Sequence, residues 1–274
     1  MASNHTAREQ GEAQPAPAFL VLDTESIPDG QLLGRVKYAA EALSPEQAIA
    51  KAQAEARERS RDASDFLPVT FQYPVAVCVA RVGSDFRLQA LTCLDAPHFR
   101  TAEIVRAFWR GLARYNRAKL VTFNGRGFDL PLLELAAFRY GCSGQDYFNK
   151  TRNRYTGHLD LFDWLSNYGG CRLAGGLNLL SKILGKPGKM EMAGDQVYQM
   201  YLDGKHQEIN DYCMFDTLDT YFVFLRTRVL TGDLRLEEEH DIVAGAKVWI
   251  TSKVAELPAL QKYLDNWGDW KPWP

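Results

Sequence analysis

"FLVLDTESIPDG", residues 19–30, decides how the rest of this chain is read. Four apolar residues, Phe19 to Leu22, run straight into Asp23-Thr24-Glu25. A short β-rich run bounded by Pro17 on one side and by Ser26 to Gly30 on the other reads as a buried strand. Alternate residues of a strand face the same side, so Asp23 and Glu25 project together from its end. Two carboxylates side by side repel unless they share a proton or a cation. An oxygen-only pair suits a hard divalent ion. Alone, a D-x-E reads as the start of a turn, and the weight falls on what accompanies it.

Working outward, residues 31–65 are rich in Ala, Glu, Arg and Gln, good helix formers with little to bury. They read as a mobile helical insertion, either a solvated face or a lid. Stretches 72–83 and 86–95 read as strands joined by Gly83-Ser84-Asp85. A helix is expected over 101–116, a strand over 119–125, and a helix over 129–141 that Gly141 stops. Residues 159–169, 176–185, 206–230 and 236–256 all read as helical. The order predicts an α/β domain over 18–256, a mixed sheet flanked by helices with a helical C-terminal half. A polar, disordered leader (1–17) precedes it. A tail (257–274) carrying Trp267, Trp270 and Trp273 packs back on it. No G-x-G-x-x-G or Walker loop is present, which weighs against nucleotide-cofactor folds.

The 274 residues carry a net charge of −2, so any nucleic-acid surface must be a local patch. Five cysteines, odd in number and without a C-x-x-C, read as reduced thiols in a cytoplasmic protein. No apolar run reaches the roughly 18 residues of a membrane span.

Two further stretches accompany the first. "KLVTF" runs into "NGRGFD" (124–129), placing Asn124 and Asp129 at the start of a helix. "NDYCMFDTLDTY" (210–221) places Tyr212 and Asp216 four apart, on one face of a helix. Each is weak alone; the set, in order, is specific.

"LDTE", "NGRGFD" and "YCMFD" together resemble the three exonuclease motifs of the DEDD superfamily in its tyrosine subclass. Within it the chain is similar to the predicted 3′–5′ exonuclease family related to the proofreading domain of family-B DNA polymerases. "RNRYTGHLDLFDWLSNYG" (152–169) and "GKMEMAGDQVYQMY" (189–202) resemble that family too, and the likeness covers roughly 18–230. It implies a ribonuclease-H-like fold and a 3′–5′ exonuclease. Asp23, Glu25, Asp129 and Asp216 would hold two divalent ions, Mg²⁺ or Mn²⁺, about 3.5–4 Å apart. Asp23 would bridge both, and Tyr212 would position the attacking water, since a phenol with a pKa of about 10 is a poor base at neutral pH. Asp211 stands where the histidine subclass would carry His, which fits the tyrosine subclass.

For substrate contacts, Asn124 and Phe128 match the second motif, and Thr24 offers its backbone N–H to the terminal nucleotide. The loop 146–155 interleaves Lys150, Arg152 and Arg154 with Tyr147, Phe148 and Tyr155. That composition suits single-strand binding, and equally an ordinary loop with buried aromatics. His158 and Asp160 read as capping or orienting residues, while Asp163 and Asp219 are near the motifs in sequence only. The implied partner is a single-stranded nucleic-acid 3′ end, DNA before RNA, with a separate polymerase or repair protein alongside and no membrane. A non-catalytic nucleic-acid-binding module on the same fold is the reading from another class.

Overall fold

Strand β1 (Phe19–Pro28) lies in the middle of a five-stranded sheet of order β3-β2-β1-β4-β5. β2 (Gln72–Val82) and β3 (Leu88–Cys93) continue from it as an antiparallel meander. β4 (Lys119–Thr122) and β5 (His158–Asp160) run parallel to it on the other side. This is the expected ribonuclease-H-like mixed sheet flanked by helices. The structure, a computed structural model, describes residues 15–60, 63–152, 157–190 and 196–272. Residues 1–14 of the leader, Arg154 and Tyr155 of the loop, and Trp273 of the tail lie outside them.

The alternation of β1 sorts its side chains between two cores. Leu20 and Leu22 pack with Ile104, Val105 and Phe108 of α3 (Thr101–Arg114) and with Leu130 and Leu133 of α4 (Asp129–Tyr140). Val21 and Ile27 face the other way, toward Leu218, Phe222 and Leu225 of α8 (His206–Leu230). By the same alternation Asp23 and Glu25 point under α8, and Thr24 points toward α4. α8 is buried along most of its length because the sheet covers one side. α9 (Leu236–Lys253) and α10 (Leu260–Asp265) cover others, so its apolar residues form no single stripe. Gly141 ends α4 in the left-handed conformation, φ 64°, as its sequence position predicts.

Three regions differ from the expectations. Where a helix is expected over 159–169, residues 158–160 are strand and only the short α5 (Leu161–Leu165) follows. Three residues are too few to show a period, and what makes them a strand is pairing with β4, His158 opposite Leu120. The insertion forms α1 (Gly30–Val36) and α2 (Pro45–Arg59), the latter opened by a Ser44/Gln47 capping box. It does have something to bury: Leu33, Tyr38, Ala48, Ile49, Ala52 and Leu67 form a small core of their own. Alanines that read as solvated helix formers are its contact face. The stretch after α6 (Gly176–Ile183) carries an unforeseen helix, α7 (Val197–Leu202). In the tail, Tyr263 is fully buried and Trp267 packs edge-on to Phe222 at 4.9 Å.

Candidate active site

Asp23 and Glu25 on β1 and Asp216 on α8 each present a carboxylate oxygen, and these oxygens lie within 4.8 Å of one another. Two local features aim them. The pairing of β1 with β2 slips at Glu25/Ser26, which bends the strand just past the acids. The Cys213 thiol on α8 donates to the Asp23 carbonyl at 3.2 Å, joining helix to strand at that residue. Asp23 Oδ2 is buried, with no hydrogen-bond partner among the described residues. Burial raises the Asp23 carboxyl well above its ordinary range, and the charges of Asp129, Asp216 and Glu25 push it further. Glu25 is raised likewise, by burial and then by Asp216 and Asp129, with Lys189 working against them. Asp216 is pushed up to about 7, chiefly by burial. A cluster of half-buried, hard oxygen donors with an orphaned oxygen fits a divalent cation.

Asp129 stands slightly apart. It is the first residue of α4 and 3% exposed, and the Thr24 hydroxyl donates to its Oδ1 at 2.7 Å. Burial raises it to about 7 and the Thr24 bond offsets part of that. Its charge is the largest acting on Asp23, yet its oxygens fall outside the set of three. The four acids are therefore a triad with a neighbour, and the Thr24 side chain orients that neighbour. Tyr212 lies one turn before Asp216 and is buried; burial and then the charges of Asp216, Glu25 and Asp23 raise its hydroxyl, so it stays a neutral donor.

The second-motif turn is clamped from β5. Asp160 accepts from the backbone N–H groups of Asn124 and Arg126, both at 2.9 Å, while capping α5. Asn124 holds a positive φ of 63°, and a Cβ on Gly125 would stand 2.3 Å from the Thr122 hydroxyl. Burial pushes His158 down to about 4, and its neutral ring meets Thr122 Oγ1 at 2.7 Å. Asp163 is not merely near in sequence: Arg126 of the motif pairs with it at 2.6 Å. Phe128 ends the turn half-buried, its ring 5.6 Å from that of Phe66 at the close of the insertion.

Residues 146–152 of the loop have partners within the chain. Tyr147 is buried and donates to Glu134 at 2.6 Å; Phe148 stacks on Trp109 at 5.7 Å. Arg152 makes a two-pronged pair with Glu134, both contacts at 3.0 Å, so its charge is already matched. Near the carboxylates, Tyr212 and Asp216 line a cavity of about 490 Å³ with Met190, Met200, Phe215 and the exposed Lys205 as further walls. That is a volume for a small organic group such as a nucleoside. A larger cavity of about 720 Å³ lies past the end of β1, against the insertion and α7, and none of the four acids lines it.

Sequence reasoning missed Lys189, whose charge acts on Glu25 and Asp216, and Cys213; no periodicity marks either. A family described as a predicted 3′–5′ exonuclease related to the exonuclease domain of PolB matches residues 64–267. The matched stretch holds Asn124, Phe128, Asp129, Tyr212 and Asp216, and starts after Asp23 and Glu25. Pairing of β1 with β2 and β4 brings those two acids to it. No curated protein matches the chain.

Proposed function

This chain belongs to the predicted 3′–5′ exonucleases related to the exonuclease domain of PolB, and from that membership we propose a metal-dependent enzyme that removes nucleotides from the 3′ end of single-stranded DNA. The observation that carries the proposal is the triad of carboxylate oxygens within 4.8 Å, with Asp23 Oδ2 unpartnered among the described residues, near a buried tyrosine.

Asp23, Glu25 and Asp216, with Asp129 beside them, would hold two divalent ions, Mg²⁺ or Mn²⁺. Ions bound there supply Lewis acidity, lowering the pKa of water and neutralising charge on the phosphodiester. The protein's own groups do the rest. The Tyr212 hydroxyl, kept neutral, orients the attacking water by hydrogen bonding and takes no proton. The Thr24 hydroxyl fixes the rotamer of Asp129. Asp160 holds the turn that presents Asn124 and Phe128 to the substrate. The cavity beside Tyr212 takes the terminal nucleoside. DNA is favoured because the family is related to a DNA polymerase's exonuclease domain. A cytoplasmic setting goes with this: all five cysteines are free, and no described helix is long and apolar enough to cross a membrane.

The test uses 5′-labelled single-stranded DNA and RNA with Mg²⁺, Mn²⁺ or EDTA. Stepwise shortening from the 3′ end, stopped by EDTA and lost in Asp23→Ala, is the expected result. Faster shortening of RNA moves the substrate to that polymer. No shortening of either in any metal overturns the enzyme in favour of a binding module.

A further inference from the structure

Phe66 stands where the insertion returns to the sheet, and it is 59% exposed. A lone exposed phenylalanine needs no explanation. This one is not alone. Its ring lies 5.6 Å from Phe128 at 52°, and Phe128 directly precedes Asp129. The pair is therefore an accessible two-ring surface one residue from a buried carboxylate of the site.

The backbone next to the ring is also held in place. Leu67 is buried in the core of the insertion. The Gln72 side-chain amide donates to the Leu67 carbonyl at 2.6 Å. The Ser26 hydroxyl in turn donates to the amide oxygen of Gln72. Ser26 follows Glu25 on β1, so a chain of two hydrogen bonds runs from the acid-bearing strand to the backbone beside Phe66. An aromatic residue on an anchored backbone costs less conformational entropy on binding than one whose backbone must be ordered by its ligand.

We propose that Phe66 extends the Phe128 surface into a stacking platform for a nucleobase of the bound single strand, making the end of the insertion a substrate contact. Flat aromatic faces beside a phosphate-handling site suit bases of any identity, because every base has a π-face. The occupant is a base of the strand being cut, since the platform adjoins Asp129 and not a remote face. This inference rests on the exonuclease reading, and its test separates the two.

The experiment measures KM and kcat on single-stranded oligonucleotides for the full chain with Mg²⁺, comparing Phe66→Ala, Phe66→Leu and Phe66→Trp. Phe66→Ala is expected to raise KM about tenfold with kcat little changed. Phe66→Leu should behave like Phe66→Ala, and Phe66→Trp should match or improve on wild type. An abasic residue is then walked through the last four 3′ positions. At one position it should raise the wild-type KM by the same factor and leave Phe66→Ala unaffected. Unaltered melting temperatures show that the variants fold. Wild-type kinetics in Phe66→Ala, or an effect of Phe66→Ala that persists unchanged at every abasic position, overturns the platform alone. Absence of turnover by wild type overturns the exonuclease reading instead.

Discussion

The two halves of α8 treat buried acids in opposite ways. Toward its C-terminal end Arg226 meets both oxygens of Glu239, a residue 2% exposed, at 2.7 and 2.9 Å. Between the halves, Asp219 accepts from the Tyr263 hydroxyl at 2.6 Å. Nearer its N-terminal end Asp216 joins Asp23 and Glu25, and the strongest charges acting on Asp23 are all negative. The same helix that neutralises one carboxylate with an arginine leaves three others to repel. The missing counter-charge belongs to the site, not to any shortage in the fold. What the protein withholds there, bound protons or a cation from solution can supply.

The sharpest way to break this contrast is a pair of substitutions. Asp23→Asn should lower the exonuclease rate by about 10³-fold or more, since it removes a group asked for several kcal/mol of charge stabilisation. Metal-free, it should melt no lower than wild type, because a repelled charge is gone. Glu239→Ala should do the reverse, costing about 3 kcal/mol by stranding Arg226 while each folded molecule stays active. Calorimetry and oligonucleotide assays read both; a large loss of metal-free stability in Asp23→Asn would end the comparison. Next in size, Tyr212→Phe should reduce kcat about 10²-fold with KM nearly unchanged.

The pH dependence follows from the raised carboxyls. Asp129 and Asp216 sit at about 7 in the folded chain against an ordinary 3.8. A raised folded value means the native state holds its proton more tightly. Metal-free stability is therefore highest below the ordinary value and falls as pH rises through about 7. Saturating Mg²⁺, at about 100 times its Kd, adds about 2.7 kcal/mol where the acids are ionised and less where protons compete. Melting curves at pH 5 to 8 with EDTA or Mg²⁺ should diverge as pH increases. The smallest effect falls on a matched pair: Arg152→Ala should change the salt slope of DNA binding by less than about one unit, because Glu134 already holds that charge.

The contrast also explains what was legible in the sequence. Asp23 with Glu25, and Tyr212 with Asp216, are set by periods of two and four, so their shared faces could be read directly. The compensated contacts could not. Asp160 reaches backbone groups 34 and 36 positions away, and Arg152 meets Glu134 across 18. Nothing in composition marks such partners. Strand β5 escaped notice because three residues carry no period, and the core of the insertion because Ala48 and Ala52 bury little area each. The sequence pattern groups Asp129 with the other acids, whereas its hydrogen bond from Thr24 is a side-chain contact no pattern encodes.

The bond from Cys213 to the Asp23 carbonyl spans 190 positions of chain. During synthesis, Asp23 and Glu25 leave the ribosome long before Asp216 is made. A chain that ends before α8 thus holds two of the three acids on the sheet, with no α8 to close over them. A site built on these three acids is complete only when that helix docks on the sheet.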